Sequence, residues 1–178
     1  MYKQLLTYSG ECPEGEIFNY TDTADEGKDF FCSINFVVKE KQIYIKNVLY
    51  TRKGMEYTEP ELAKMLTEDN VQKAFIESNN GGRGFARNVK KLLMEKHNNS
   101  FTVVKPFFQK KNKKSRIWTN AYWIESNCFF PDDWGNKWRE FYMSMKQYKK
   151  EGKNNHDDAQ DALTGCAEQV NKVKRVFK

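Results

Sequence analysis

Histidine is scarce in this chain, at two residues, and its four cysteines, Cys12, Cys32, Cys128 and Cys166, stand apart with no C-x-x-C pair. A structural zinc site needs closely spaced thiolate and imidazole donors, so the pattern argues against one, and the thiols read as reduced and mostly buried. No apolar run approaches the roughly 18–20 residues that span a bilayer, and the N-terminus lacks the apolar stretch of a signal peptide. The sequence therefore predicts no membrane association and nothing that directs the chain out of a cytoplasm.

Aromatic residues, in contrast, are abundant, with 13 Phe, 9 Tyr and 4 Trp. The mean hydropathy of −0.86 thus reflects a charged surface, not a missing core. A chain of 178 residues suits one compact α/β domain with a substantial interior. The net charge of +6 is unevenly spread. Residues 11–29 carry seven acids (Glu11, Glu14, Glu16, Asp22, Asp25, Glu26 and Asp29) against Lys28 alone. Residues 90–116 carry nine bases against Glu95. A basic zone of this kind is a footprint of phosphate-backbone binding, although charge alone fits a solvated face equally well.

The first 15 residues are polar, hold Pro13 and Gly15, and read as a linker or frayed start; residues 16–178 read as the folded domain. Strands are expected over Ile17–Asp22, Phe30–Lys39 and Gln42–Tyr50, with a tight hairpin at Glu40-Lys41. A helix follows, with Thr58 as N-cap, Pro60 in the first turn and Glu61 completing a capping box. Further expectations are a strand over Val71–Glu77, a helix over Arg83–Lys96 and a strand over Phe101–Val104 closed by Pro106. After the basic loop Gln109–Ser115 come a helix over Ser115–Ser126 and a short strand at Cys128–Phe130. A helix capped by Asp132 or Asp133 then runs to about Lys149, and a final helix covers Asp157–Lys172. Three antiparallel strands followed by strands added through helical crossovers match the ribonuclease H-like arrangement, a central mixed sheet flanked by helices.

In that arrangement Asp22 and Glu77 end two strands that can be neighbours at a topological switch point. Asp157 and Asp158 open the last helix, with Asp161 one turn on. Carboxylates from three segments suit hydrolysis of a phosphodiester, because two hard cations about 3.5–4 Å apart can clamp the attacking and leaving oxygens. Taken singly, a strand-end Asp is a turn residue and a helix-start Asp a cap. Asp161 suits a supporting hydrogen bond as well as direct ligation. The Asn79-Asn80-Gly81-Gly82-Arg83-Gly84 run suits either a phosphate cradle or a plain strand-to-helix turn.

The runs YTDTADEGKDFFCSI, FIESNNGGRGFARNV and HDDAQDALTG together resemble the nuclease domain of the phage terminase large subunit, the viral DNA-packaging motor. The resemblance extends from about Glu16 to Glu168 and includes NKKSRI, similar to the family's basic segment before a helix. It implies a ribonuclease H-like endonuclease that cuts concatemeric viral duplex DNA with two Mg²⁺ or Mn²⁺ ions. Asp22, Glu77 and Asp157 or Asp158 would hold the metals, with Asp161 as a further ligand and Asp29 as the first motif's second acid. His156 would assist or simply sit at the helix start. Arg83, Lys110, Lys111, Lys113, Lys114 and Arg116 would grip DNA phosphates. The implied partners are an ATPase domain, a small terminase subunit and the portal, at the procapsid in an infected bacterial host. This chain departs from the large subunit in holding no P-loop sequence. Two other readings remain at the level of the residues: a resolvase- or integrase-type relative, and a non-enzymatic domain that docks DNA or a viral partner.

Overall fold

A computed structural model describes residues 1–2, 4–23, 29–79, 81–151, 154 and 156–173, with side chains up to residue 171. Asp25, Glu26 and Lys28 of the acidic stretch, and Asn80 and Asn155, lie outside the described residues. The strands are β1 (Leu6–Tyr8), β2 (Glu16–Asp22), β3 (Phe31–Lys39), β4 (Gln42–Thr51), β5 (Lys73–Glu77), β6 (Val103–Phe107) and β7 (Cys128–Pro131). The helices are α1 (Met55–Glu68), α2 (Gly82–His97), α3 (Lys113–Asn127), α4 (Trp134–Lys137), α5 (Arg139–Gln147) and α6 (Asp158–Val173). One mixed sheet runs β1-β7-β4-β3-β2-β5-β6.

β2, β3 and β4 pair antiparallel, and β5, β6, β7 and β1 join by parallel ladders. The hairpin between β3 and β4 turns at Glu40 and Lys41, both at positive φ (50° and 67°), as the right-handed twist of a two-residue turn demands. Helices cover both faces. On one, α1 and α2 set Leu62, Leu66, Phe85, Val89 and Leu93 over Phe31, Ala74 and Ile76. On the other, Ile124, Phe141, Ala162, Leu163 and Cys166 lie in one core with Tyr20, Ile34, Phe36 and Phe130. β3 is buried from Phe31 to Val37, which explains its nearly continuous apolar run.

Several local expectations are corrected. The supposed linker contains β1, whose Leu6 pairs with Phe129; three residues are too few for an alternation to be read, and the partner strand is distant in sequence. Thr58 is not an N-cap: α1 opens after Gly54, and the Thr58 hydroxyl donates back to the Gly54 carbonyl at 3.2 Å. Pro60 therefore sits inside the helix, where it has no N–H to donate to the carbonyl of the exposed Glu56. Pro106 does not close a strand but lies within β6, opposite Ile76; β6 is an edge strand, where proline is tolerated. α3 starts at Lys113, capped by the Asn112 side chain, which accepts from Ser115 N at 3.1 Å. The helix expected to reach Lys149 breaks at Trp138 into α4 and α5.

Candidate metal centre

Strand pairing sets the geometry of the site. Thr21 lies opposite Ile76 in the parallel β2–β5 ladder, so the next residues, Asp22 and Glu77, emerge side by side at the carboxyl ends of the strands. Side chains alternate across a strand, so Asp22 shares the face of Phe18 and Tyr20, and Glu77 that of Phe75. This is the face under α6. From there Asp161 meets both, and one oxygen from each of Asp22, Glu77 and Asp161 lies within 4.8 Å of the other two. All three residues are buried.

α6 brings a whole helix face to this point. Asp158, Asp161, Gly165 and Glu168 follow helical spacing, and a Cβ on Gly165 would run into the Tyr20 ring. The missing side chain lets the helix lie close to β2. Asp157 precedes the helix, its carbonyl accepting from Asp161 N at 2.9 Å. The positive end of the helix dipole thus faces the acidic cluster. Asp158 accepts from Phe30 N at 3.1 Å and from Lys113 Nζ at 2.9 Å.

α3 supplies the countercharge. Lys113 Nζ lies 3.3 Å from Asp22, 3.2 Å from Asp157, 2.9 Å from Asp158 and 3.8 Å from Asp161. Arg116 is buried and spreads its guanidinium among Asp161 at 2.9 Å, Glu168 at 3.2 Å, the Tyr20 hydroxyl at 3.1 Å and Glu77 at 3.6 Å. Tyr20 in turn donates to Glu77. Lys111 reaches Glu168 at 3.4 Å. In this network, among the described residues, six carboxylates (Asp22, Glu77, Asp157, Asp158, Asp161 and Glu168) face three cations (Lys111, Lys113 and Arg116).

The electrostatic result is a centre short of positive charge. Burial pushes the Asp22 carboxyl well above the usual range, against the pull of Lys113, and Glu77, Asp161 and Asp158 push the same way. Burial pushes Asp161 up to about 7, with Arg116 and Lys113 opposing. Burial acts against the Lys113 ammonium, yet Asp22, Asp158, Asp161 and Asp157 outweigh it and hold it above its ordinary value. Asp22 Oδ2 is buried and, beside its 3.3 Å ion pair with Lys113, has no hydrogen-bond partner among the described residues. A hard divalent cation fits this donor set: carboxylate oxygens only, mutually close, with excess negative charge.

The residues expected at the site divide. Asp22, Glu77 and Asp161 converge, while Asp158 and the more exposed Asp157 join them through Lys113. Asp29, His156 and Asp158 form an adjoining group, with one donor atom each within 4.8 Å of the others, and His156 Nε2 lies 2.9 Å from Arg52. Arg116, expected to grip phosphate, has its side chain 1% exposed and its donors engaged by Asp161, Glu168 and the Tyr20 hydroxyl. Lys113 also turns inward to the carboxylates, and Lys111 toward Glu168. Lys110, Lys114 and Arg83 remain exposed, Lys114 over the Trp118 ring. Gly81 caps α2 at φ +91°, and a Cβ on Gly82 would strike the Glu77 carbonyl, so these glycines serve the turn that carries Glu77. Sequence reading missed Tyr20, Gly165 and Glu168, although the spacing of the last two from Asp161 places them on its helix face.

Comparison with known proteins bears on this arrangement. The model of the family described as Terminase Bacteriophage T7, Ribonuclease H-like domain, matches residues 21–124. The nuclease domain of the large terminase subunit of bacterial virus Sf6 superposes with a TM-score of 0.59 at 11% identity, covering 86% of this chain and 88% of that one. The human cytomegalovirus terminase nuclease domain, soaked with Mn and inhibitor-bound, gives 0.63 at 12% identity, covering 92% and 86%. The fowlpox virus Holliday junction resolvase gives 0.54 at 13%, covering 88% and 99%. A comparison with curated protein sequences gives no match. The structural likenesses establish a shared fold, and the family match spans more than half of the sequence, from the residue before Asp22 through most of α3: the chain belongs to the terminase family of the bacteriophage T7 type, with the fold of its ribonuclease H-like domain.

Proposed function

We propose that this chain is the metal-dependent endodeoxyribonuclease domain of a terminase large subunit, cutting concatemeric viral duplex DNA during packaging. The observation that carries the reading is the buried convergence of Asp22, Glu77 and Asp161, with carboxylates in excess of cations. Asp22, Glu77 and Asp161 would hold one divalent ion, Mg²⁺ or Mn²⁺, and Asp158 and Asp157 would contribute to a second. Ions bound there would lower the pKa of a water and neutralise charge on the phosphate and the departing 3′-oxygen.

The protein's own groups do the positioning. Tyr20 and Arg116 fix Glu77, and Arg116 fixes Asp161 from the other side. Lys113, partly exposed at the mouth of the cluster, supplies positive charge toward the phosphate. The nuclease domain would include β1 along with the rest of the sheet. An ATPase domain, a small terminase subunit and the portal would be its partners, in the cytoplasm of an infected bacterial host. The solved Mn-soaked terminase nuclease and the Sf6 terminase fragment with calcium support the choice of ion class.

The test is cleavage of supercoiled plasmid with Mg²⁺, Mn²⁺ or EDTA. Cutting is expected with either metal and none with EDTA. Asp22→Asn and Glu77→Gln should each lower the rate by on the order of 100-fold or more, the scale of losing one preorganised contact to developing charge. Undiminished cutting by folded variants would refute the assignment. Four-way junctions and RNA–DNA hybrids, run in parallel, separate a terminase-like preference for linear duplex from a resolvase-like one.

A further inference from the structure

With Lys111, Lys113 and Arg116 turned to carboxylates, Lys110, Lys114 and Arg83 are the expected phosphate contacts left without a carboxylate partner among the described residues. A second basic surface lies elsewhere. A groove of about 1210 Å³ opens beside Phe30 and His156, between the end of β4, the face of α5 that bears Arg139 and Met143, and residues 148–150 and 154. Arg52, Arg139, Lys146, Lys149 and Lys150 line it, with Glu140 as the one acidic lining residue among the described residues. All five cations are exposed, and none forms an ion pair among the described residues. Arg139 and Lys146 project from the same helix two turns apart, and beyond it the Lys149 backbone exchanges reciprocal bonds of 2.8 Å with the Asn154 side chain.

The groove joins the carboxylate cluster directly. Phe30 lines it and donates its backbone N–H to Asp158, and His156 lines it while standing against Asp158 and Asp29. Its aromatic floor is already occupied by its own contacts. Phe30 stacks on Tyr50 at 4.3 Å, carries the Arg52 guanidinium at 4.3 Å and meets His156 edge-on. The Phe30 ring, so engaged, has no free face for an unstacked base, whereas the exposed cations lining the groove have no carboxylate partner among the described residues. We propose that this groove is a second DNA-binding site, which holds the phosphate backbone of a duplex running past the carboxylate cluster, without reading its sequence.

The proposal rests on the nuclease reading for its choice of DNA, and binding is therefore measured without cleavage. Fluorescence anisotropy of a short labelled duplex in EDTA, over a salt titration, compares the full chain with Arg139→Ala/Lys146→Ala. The control is Arg87→Ala/Lys90→Ala, the same charge change on exposed positions of α2, on the other face of the sheet. The groove variant should bind at least tenfold more weakly than the control and lower the slope of log affinity against log salt by about 2, one for each lost phosphate contact. Thermal melts verify that both variants are folded. Equal binding by groove and control variants, or no duplex binding by the parent chain, overturns the proposal. If the parent fails to cut while the groove variant still loses binding, the nuclease reading falls and the groove stands.

Discussion

Arg116 shows how much one residue's meaning depends on where its side chain points. In a run of lysines it reads as a phosphate contact; folded, it is a buried tie between α3, β2, β5 and α6. Removing it leaves the buried Asp161 and Glu168 without the partner they share, and breaking a buried pair in this way costs about 3–5 kcal/mol. Arg116→Ala should therefore melt well below the parent. Arg116→Lys keeps a charge but cannot reach Tyr20, Asp161 and Glu168 together. It should fold yet bind Mn²⁺ roughly 10–100-fold more weakly by calorimetry, as expected for a lost ligand-orienting partner. Unchanged Mn²⁺ affinity in that variant would mean that Arg116 serves the fold alone.

Among the elements, α6 governs the site. Its Asp158–Asp161–Glu168 face reaches β2 and β5 only because Gly165 leaves room for the Tyr20 ring. Gly165→Ala would favour the helix by its propensity, about 1 kcal/mol. The added methyl must displace either the helix or Tyr20, and overpacking of this kind costs about 1–3 kcal/mol or more. Lower stability is expected, together with weakened metal binding, because Tyr20 can move only by releasing Glu77. A stabilised variant with parental Mn²⁺ affinity would contradict the close approach. β2 and β5 contribute differently: their parallel register aligns Asp22 with Glu77, and shifting either strand by one residue would send its acid to the opposite face.

For the whole molecule, the excess of buried negative charge predicts a coupling between pH, metal and stability. Asp161 titrates near 7 in the folded state against an ordinary 3.8. Between those values the folded chain binds more protons than the unfolded one, so stability falls as pH rises through the window. Asp22, also raised, acts in the same direction. Melting in EDTA should therefore show this contribution lost between about pH 4 and 7, and divalent metal should restore it at pH 8. At about 100 times its Kd a metal adds roughly 2.7 kcal/mol, which for a domain of this size raises Tm by roughly 5–10 °C. A pH-independent Tm with no metal shift would show that these carboxylates are not the ion's site.

Local sequence was enough for β2 to β5, the Glu40-Lys41 turn and the amphipathic helices, because alternation, helical periodicity and turn chemistry act over a few neighbours. It also supplied Asp22 and Glu77, since strand ends are visible where apolar runs stop, and the motif resemblance joined them to the last helix. It put Asp157 and Asp158, undivided, ahead of Asp161, sent Arg116 and Lys113 outward, and overlooked β1 and Tyr20. Those outcomes depend on contacts between segments far apart in the chain: the side of α6 that meets the sheet, the helix that covers the cluster, and the strand beside which a three-residue edge can pair. Which carboxylates converge, and which cations stay exposed, was decided only when α3 and α6 packed over the carboxyl ends of β2 and β5.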